Sequence, residues 1–323
     1  MRIKDRPVDG DLLSELLGPL RLRGVFRSRW TARAPWGVTG ERESCALLHY
    51  VSEGTCTVEL PGAEPVVLGE GELSVFPHGA GHRLGDAPGS PAVPLDSLLP
   101  GREPGLMRRV SIDGPGPPAA ILCGGLHYDA AAASPLYRAL PQLLVLDRAA
   151  IAGEPLLGDM LERLAGDWDG GEAGREIVAL RAFELAFVLA LRAALASLSE
   201  SEPILRALRH PAIGAALLAV QTRFAEPWTV ESLAEESGLS RSAFAAAFRD
   251  LVGEAPMRHL TARRMQEAAR LLAGSTLPHS RIARRVGYQS TVGFHLAFKQ
   301  WHGLTPGEFR KNADVLAGEK GFW

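Results

Sequence analysis

Cysteine and histidine are the side chains in this sequence that could bind a metal ion or react with an oxidant. The first 130 residues contain all three cysteines and four of the nine histidines, namely Cys45, Cys56, Cys123, His49, His78, His82 and His127. Neutral imidazole and thiolate are common ligands of zinc and iron, and the thiolate is also the reactive form of cysteine. Three cysteines make no disulfide framework, so we expect a reducing compartment, the cytoplasm.

The cysteines have two interpretations. Cys45, Cys56 and Cys123 are redox candidates, but a reactive thiol must be accessible and have a lowered pKa. Free cysteine more often behaves as a small buried hydrophobe. The sequence alone favours burial and keeps the redox hypothesis open.

The elements that must position these residues are short strands. Residues 45–86 alternate apolar and polar runs with glycine or proline every eight to twelve residues, which is typical of a small antiparallel barrel or sandwich. Residues 87–118 are rich in Pro, Gly and Ser and predict a long, partly disordered loop. Residues 121–129 predict one more strand.

One segment matches a known motif. GELSVFPHGAGHRLGD (Gly71–Asp86) has glycine, five residues, proline, one residue, glycine, two residues and then His82, as in one of the two cupin motifs. Asp86 stands where asparagine is usual, and only LLHYVSEG, with His49, remains of the other motif. Together with APWG and LCGG, these segments resemble a cupin-like sensor domain over about residues 11–149.

The resemblance implies a ligand pocket inside the barrel. In the cupin arrangement His49 and His82 point inward, and a buried imidazole needs a hydrogen-bond partner, a ligand or a metal. A divalent metal is a candidate cofactor, with His49, His82 and His127 as proposed ligands. His78, Cys45 and Cys123 are further potential donors. The alternative is a barrel that has lost its metal and keeps these histidines as packing or pocket residues.

Helical patterns follow the strands. Apolar residues at three- and four-residue spacing predict helices over 135–146, 156–164 and 175–198. The last is apolar on more than one side, so it is either buried in its own domain or pairs with a second copy in a homodimer. Its most apolar stretch, Leu185–Leu191, is too short to span a membrane, and the N-terminal MRIKDRPVDG has no signal-peptide core.

The charge of the chain is unevenly distributed. The net charge is −2, but residues 203–323 contain 16 Lys and Arg against 10 Asp and Glu, and the remainder contains 19 against 27. A basic C-terminal part suggests a polyanionic partner. The alternative is that the charges fell unevenly for no functional reason.

The basic part contains an internal repeat. Leu233–Pro256 aligns with Ile282–Pro306, with matched Leu/Ile, Ala, Gly, Phe, Phe, Gly and Pro 49 or 50 residues apart. Each copy predicts a helix, a tight turn with Gly238 or Gly287, and a second helix capped by Ser240 or Ser290. Two helices joined by a short glycine turn indicate a helix-turn-helix, whose second helix enters the major groove. An ordinary helical bundle is the alternative.

The repeat resembles the DNA-binding domain of AraC/XylS-family transcription regulators. The motifs are WTVESLAEESGLSRSAFAAAF, GEAPMRHLTARRMQEAARLL and IARRVGYQS followed by AFKQWHGLTPGEFR, over about residues 204–310. The resemblance implies seven helices, with two helix-turn-helix units joined by a long helix at about 257–272. Cupin-like sensor domains precede such DNA-binding domains in this family. Ala246, Leu296 and Arg263 depart from residues that are common in the family.

The exposed positions of the two recognition helices are the predicted DNA contacts. They are Arg241, Ser242, Ala243, Ala245, Ala246, Thr291, Val292, His295, Leu296 and Lys299. Small and apolar side chains can meet thymine methyl groups but make no bidentate contacts to bases. We therefore expect much of the affinity to come from phosphate contacts and DNA shape, with basic residues flanking the helices, namely Arg249, Arg263, Arg264, Arg284, Arg285, Lys299, Arg310 and Lys311.

The predicted fold class is α+β, with an N-terminal cupin-like β-barrel and appended helices (residues 1–202) and a C-terminal all-α domain (203–323). The predicted function is a sequence-specific, DNA-binding transcription regulator, not an enzyme, whose barrel senses a small molecule, metal or oxidant. The expected partners are double-stranded promoter DNA, an unidentified small-molecule effector, RNA polymerase and a second copy of the chain, with no membrane.

Two other functions remain open. A cupin-type metalloenzyme fused to a DNA-binding module would need a fuller ligand set than these histidines. A DNA-repair methyl acceptor would need a cysteine cluster with zinc spacing, which the sequence does not contain.

Overall fold

The computed structural model describes residues 23–100, 107–128, 135–138, 140–166, 174–197, 206–207 and 210–319. These residues form two compact units. The first unit holds the described residues from 23 to 128 and from 140 to 197. The second holds those from 206 to 319 together with a short helix at 135–138. The predicted boundary at 202/203 lies outside the described residues and stays a prediction.

The strands all belong to the first unit. They are β1 (Arg23–Arg33), β2 (Gly37–Gly40), β3 (Cys45–Glu53), β4 (Thr55–Glu59), β5 (Val66–Gly69), β6 (Leu73–Phe76), β7 (His82–Gly85), β8 (Val93–Pro94), β9 (Met107–Ile112), β10 (Pro118–His127) and β11 (Leu144–Leu146).

The strands form two sheets. One has the order β11-β6-β3-β10-β1-β9 and the other β5-β4-β7-β2-β8. Neighbours are antiparallel, except that β9 runs parallel to β1 and β8 parallel to β2. Apolar residues of both sheets, including Trp30 and Cys56, share one core, as the alternation of strand side chains requires. The predicted α+β class is confirmed, and no ladder joins the two sheets among the described pairings.

The predicted loop over 87–118 is wrong in part. A short helix, α1 (Leu95–Leu98), lies within it, and β9 pairs along β1 from Met107 to Ile112. The strand has the sequence MRRVSI, in which only Val110 is buried, so its apolar alternation is weak. Pairing with the long β1 supplies the backbone partners that its own sequence does not predict.

The remaining helices lie after β10. In the first unit they are α3 (Arg148–Ala152), α4 (Pro155–Ala165) and α5 (Arg175–Ser197). The last two confirm the predicted helices, whereas the one expected at 135–146 is a single turn, α2 (Pro135–Arg138), followed by β11. Helix α5 packs closely on the first sheet, because a Cβ at Gly124 would lie 2.1 Å from the ring of Phe183.

The second unit is all-α, as predicted. Its helices are α6 (Pro211–Thr222), α7 (Val230–Glu236), α8 (Arg241–Val252), α9 (Pro256–Gly274), α10 (His279–Arg285), α11 (Thr291–His302) and α12 (Pro306–Glu319). Helices α7 and α8 form the first helix-turn-helix, α10 and α11 form the second, and the long α9 connects them. The short α2 contacts α9.

The two helix-turn-helix units have matching turns. In the first, Leu239 N–H donates to the Ala234 carbonyl (2.9 Å); in the second, Tyr288 N–H donates to the Ala283 carbonyl (2.9 Å). These bonds span five residues, as in a Schellman motif, and require a left-handed residue between them. Gly238 (φ +69°) and Gly287 (φ +82°) supply it.

The predicted N-caps of the recognition helices are confirmed. The hydroxyl of Ser240 accepts a hydrogen bond from Ala243 N–H, and that of Ser290 accepts one from Gly293 N–H. Each bond satisfies a backbone donor that a helix start leaves unpaired.

In the part of the chain that the structure describes, no helix combines the length and the apolar composition that a membrane span requires.

Candidate nucleic-acid interface and inner pocket

Each recognition helix has one buried and one exposed face. Phe244 and Phe248 on α8, and Phe294 and Phe298 on α11, are fully buried, at the four-residue spacing that the sequence suggested. The opposite faces lie in solvent within the second unit. The predicted DNA contacts are exposed or half-buried on these faces, in α8 Arg241, Ser242, Ala243, Ala245 and Ala246 and in α11 Thr291, Val292, His295, Leu296 and Lys299.

The face of α11 is unusually apolar for an exposed surface. Val292 is 71% exposed and Leu296 is 67% exposed. They are four residues apart, so their side chains are neighbours on the helix surface. Large apolar side chains held in water this way indicate a surface that meets a partner.

Two of the predicted contacts have partners inside the unit. A guanidinium nitrogen of Arg241 lies 2.6 Å from a carboxylate oxygen of Glu231 on α7. His295 packs its ring against those of Phe294 and His279, with centroids 5.8 and 5.2 Å away. His295 Nε2 is buried without a hydrogen-bond partner among the described residues.

Three of the predicted basic flanking residues instead hold the second unit together. Arg263 is buried and lies over the ring of Phe224, 4.3 Å from its centroid. Arg264 donates to the carbonyls of Phe224 and Glu226, both at 2.7 Å. Arg310 donates to the carbonyl of Leu277 at 2.7 Å and to that of Leu272. Helix packing therefore brings carbonyls to Arg264 and Arg310 and the Phe224 ring to Arg263, so these three side chains brace the second unit instead of flanking DNA.

The remaining basic flanking residues are exposed. They are Arg249, Arg284, Arg285, Lys299 and Lys311. None of these five forms an ion pair with a described residue. Arg249, Arg284 and Arg285 have no described acidic partner, whereas Lys299 and Lys311 interact electrostatically with Glu308. None of the five must break a salt bridge before it contacts phosphate.

The inner pocket lies between the two sheets. His49 on β3 and His82 at the start of β7 are each 7% exposed, and their Nε2 atoms are 2.9 Å apart. The structure therefore brings together the two histidines that the sequence predicted for the pocket. Phe76, which the sequence interpretation missed, stacks on the ring of His82 with centroids 3.9 Å apart. Its position directly before the Pro77–Gly79 turn was the available signal.

Both imidazoles are neutral. Burial lowers the pKa of His82 to about 4, and the hydrogen bond to the Ala80 carbonyl raises it by a smaller amount. Burial, and next the neighbouring His82, lowers the pKa of His49 well below its ordinary range. Taking an unpaired cation out of water is the physical cause in each case.

The hydrogen bonds then determine the tautomers. His82 Nδ1 lies 2.8 Å from the Ala80 carbonyl, which can only accept, so His82 Nδ1 is protonated. His82 Nε2 is therefore an acceptor, and His49 Nε2–H donates to it. His49 Nδ1 is left as a bare acceptor, and it is buried with no hydrogen-bond partner among the described residues. A buried acceptor without a partner calls for a donor.

The pocket beside this pair is small and mostly apolar. Its cavity has a volume of about 40 Å³. Its apolar walls include Phe26, Trp30, Leu47, Leu84, Leu95, Leu99 and Cys123, and Ser28, Glu41 and Glu43 are polar lining residues beside the two histidines. This space suits a small group with one hydrogen-bond donor.

The metal ligand set is not assembled. Among the described residues, no group of three His, Cys, Asp or Glu side chains is placed to hold a metal ion. His127 is exposed at the end of β10, beside Phe26, whereas His49 and His82 are buried. His78 also lies apart, with Nε2 3.1 Å from the Leu140 carbonyl. Two converging imidazoles are fewer than the three protein ligands of catalytic zinc sites, so the described residues do not fit the metal.

The three cysteines are buried. Cys45 and Cys56 are fully inaccessible and Cys123 is 5% exposed. Burial raises the pKa of Cys45 and of Cys56 to about 12, and burial raises that of Cys123 well above its ordinary value. In this arrangement each thiol is protonated and lacks the accessible thiolate that reactivity with an oxidant requires.

Both parts of the chain are similar to known proteins. A cupin family model matches residues 11–196 and a helix-turn-helix domain model matches residues 233–312. The chain is 30% identical over 310 residues to the RCS-specific HTH-type transcriptional activator RclR of Escherichia coli (strain K12), covering 95% of this chain and 99% of RclR.

Two further matches concern parts of the chain. The HTH-type transcriptional regulator AlkR of Acinetobacter baylyi is 34% identical over 188 residues, covering 58% of this chain and 61% of AlkR. Among solved structures, the C-terminal domain of AraT, a response regulator from Geobacillus stearothermophilus, is 33% identical. It covers 32% of this chain and 88% of that chain, with a TM-score of 0.32.

Proposed function

The chain belongs to the AraC family of helix-turn-helix transcription regulators and carries an N-terminal cupin domain, and we propose a separate role for each of its two units. The C-terminal unit binds promoter DNA, and the cupin unit senses a ligand. The specific proposal is that α8 and α11 each enter the major groove with their exposed faces. The observation that supports it is the duplicated turn, which leaves one apolar or small-residue face of each recognition helix in solvent.

Base contacts are proposed for four residues. Val292 and Leu296 contact thymine methyl groups, since their exposed side chains offer neither donor nor acceptor. Ser242 and Arg241 on α8 are proposed to contact base edges, with Arg241 exchanging its partner Glu231 for DNA. The backbones of α8 and α11 can approach the DNA closely at their small side chains, namely Ala243, Ala245, Ala246 and Thr291.

Phosphate contacts are proposed for the unpaired basic residues Arg249, Arg284, Arg285 and Lys299. These contacts position the domain but carry no base preference. His295 is proposed to orient α11 rather than to contact bases, because its ring packs between Phe294 and His279.

The inner pocket is proposed as the site where the signal enters. A ligand with one N–H or O–H donor would satisfy His49 Nδ1, and His82 would hold His49 in the required tautomer. RclR is by name specific for RCS. In this chain the three thiols are buried and protonated, so we favour the histidine pair over Cys45, Cys56 and Cys123 as the entry point.

A homodimer is proposed through α5. This helix buries Phe183, Phe187 and Leu191 within the first unit but exposes Ile177 (51%), Val178 (50%) and Leu185 (42%). Ile177 and Leu185 are eight residues apart and lie on one side of the helix. A second copy of the same stripe is a self-complementary partner for it.

The relatives are transcription regulators, which suggests that the chain is not an enzyme. We propose that it performs no catalysis and acts in the cytoplasm, where promoter DNA and RNA polymerase are found.

A genome-wide footprint of the full-length protein tests the DNA-binding proposal. Duplexes taken from the strongest footprints should bind the purified protein more tightly than shuffled duplexes of the same composition, by at least about a thousandfold. Equal affinity for both kinds of duplex would contradict sequence-specific binding and leave only electrostatic attachment.

A further inference from the structure

An open cleft lies on the outer side of the sheet that contains β3 and His49. Consecutive residues of a strand point to opposite faces, so Tyr50 faces away from the inner pocket that His49 lines. The outer cleft, as we name it, has a volume of about 770 Å³ and is lined by β3, the turn at Glu70–Gly71, and helices α3 and α4. Its polar lining residues are Tyr50, Ser52, Glu70, Arg148, Asp159 and Glu162.

Tyr50 is a buried side chain whose hydroxyl opens onto the outer cleft. Its side chain lines the outer cleft and the residue is 6% exposed. Its phenol makes no hydrogen bond to any described residue. Burial raises the pKa of Tyr50, and the carboxylates of Glu162 and Glu70 raise it further. The phenol is therefore neutral and lies close to negative charge. Its oxygen can accept a hydrogen bond from a group bound in the cleft.

The cleft has an excess of negative charge. Arg148 is paired with Glu70. Its Nη2 lies 3.9 Å from the Glu70 carboxylate, and its Nε donates a hydrogen bond to the Glu70 carbonyl. Asp159 and Glu162, on adjacent turns of α4, form no ion pair with a described residue. Two uncompensated carboxylates beside a phenol favour a cation and exclude an anion.

The geometry excludes a simple metal ion. Among the described residues, the carboxylates of the outer cleft do not come together as a group of three that could hold one. The rest of the lining is apolar, with Ile151, Pro155 and Ala165 next to the acidic residues. An occupant therefore needs a positive end and a hydrocarbon body.

We propose that the outer cleft is a second ligand site, for a small organic ammonium ion with an apolar body. The ammonium group pairs with Glu162 and Asp159, its N–H groups donate to the Tyr50 hydroxyl, and the hydrocarbon lies against Ile151 and Pro155. The volume of about 770 Å³ falls within the ordinary range for small-molecule sites. This inference does not use the DNA-binding function or the inner pocket.

Titration calorimetry of the full-length protein tests the proposal with three probes of similar shape. Benzylamine is a cation at neutral pH, benzyl alcohol is neutral and benzoate is an anion. We expect benzylamine to bind about fivefold more tightly than the other two, as one ammonium–carboxylate pair contributes up to about that factor. Benzoate or benzyl alcohol binding as tightly as benzylamine would overturn the proposal.

Variants locate the site. Glu162→Gln and Asp159→Asn lie on the exposed side of α4 and should each weaken benzylamine binding about threefold. Tyr50→Phe should weaken it by about two- to tenfold through loss of one hydrogen bond. Glu64→Gln, which removes the same charge at an exposed turn outside the cleft, should leave binding unchanged.

The folded state of each variant is checked by circular dichroism before titration. If Tyr50→Phe unfolds, the two α4 variants still decide the question. Unchanged benzylamine affinity in both Glu162→Gln and Asp159→Asn would overturn the assignment to this cleft, whatever the result for DNA binding.

Discussion

At the residue scale, Val292 and Leu296 on α11 are the exposed large apolar side chains among the described residues of the second unit. Leu296 is 67% exposed, so truncating it should leave the free energy of unfolding almost unchanged. If it contacts a thymine methyl, Leu296→Ala should weaken binding to the specific duplex by about three- to tenfold. Fluorescence anisotropy with specific and shuffled duplexes measures both affinities.

The matched control is Val67→Ala, which removes an apolar side chain that is 60% exposed in the first unit. It should affect neither duplex. An equal loss of affinity for both duplexes in Leu296→Ala would show that Leu296 supports the helix and does not contact bases.

The histidine pair predicts how stability depends on pH. The folded pKa of His82 is about 4, below its ordinary 6.5, and that of His49 is also lowered. The unfolded chain therefore binds more protons between these values, and the free energy of unfolding falls as pH drops from about 6.5 towards 4. Each histidine contributes a slope of up to about 1.4 kcal/mol per pH unit in that window.

Urea unfolding of the full chain from pH 7 to pH 4.5 measures this slope. His82→Asn keeps a donor for the Ala80 carbonyl and removes one titrating group, so its slope should be shallower than that of the wild type. Parallel curves for the two proteins would mean that His82 is not buried neutral.

At the scale of elements, the two helix-turn-helix turns have the same backbone but different surroundings. A Cβ at Gly287 would lie 2.7 Å from the Ala225 carbonyl oxygen and 2.9 Å from Arg264 Nη2, whereas one at Gly238 would have no atom within 4 Å. Both glycines have positive φ. Gly238→Ala should therefore cost only the backbone strain, about 1 kcal/mol, and Gly287→Ala should cost more because it also displaces Arg264.

A β-branched residue increases the strain, so Gly287→Val should lower the free energy of unfolding by about 1–3 kcal/mol or more and weaken DNA binding with it. Denaturant unfolding and anisotropy on the same samples measure the two effects. Equal losses for Gly238→Ala and Gly287→Ala would contradict the close approach of Ala225 and Arg264.

The exposed stripe of α5 makes a prediction about association. Ile177→Glu with Leu185→Glu should convert a dimer into a monomer at tens of micromolar, because two charges would face each other across a two-fold contact. Sedimentation equilibrium of the full chain measures the mass. Leu156→Glu, at a residue 52% exposed on α4, is the control and should leave the mass unchanged. A monomeric wild type would remove the proposal.

At the scale of the whole molecule, the C-terminal part should act on its own. A fragment of residues 203–323 should fold and bind DNA, and its two recognition helices should occupy major-groove segments about 34 Å apart. The logarithm of its affinity should fall linearly with the logarithm of salt concentration, by about 0.9 per phosphate contact. A folded fragment without affinity for DNA at low salt would refute this prediction.

This fragment lacks α2, which contacts α9 and belongs to the same compact unit. We expect its thermal midpoint to be lower than that of the C-terminal unit within the full chain. Calorimetry on both proteins compares the midpoints.

The sequence by itself determined the second unit almost completely. Its internal repeat predicted the two helix-turn-helix units, Gly238 and Gly287 predicted the turns, and Ser240 and Ser290 predicted the caps. These are local features, since hydrogen bonds within five residues and the left-handed freedom of glycine decide them. The residues buried between the helices followed from the four-residue spacing of the phenylalanines.

Only the tertiary structure decided which basic side chains can reach DNA and which histidines meet in the inner pocket. Arg264 and Arg310 donate to carbonyls 33 to 40 residues away, and Arg263 lies over the ring of Phe224, so these three side chains brace the second unit instead of flanking DNA. The tertiary structure also joined His49 and His82, 33 residues apart, at 2.9 Å and left His127 outside the pair.

The outer cleft could not be predicted from the sequence for the same reason. Glu70 lies in the turn after β5, Asp159 and Glu162 lie on α4, and no spacing in the sequence connects these two elements to Tyr50 on β3. Burial and long-range packing bring such residues together, and both depend on the whole fold.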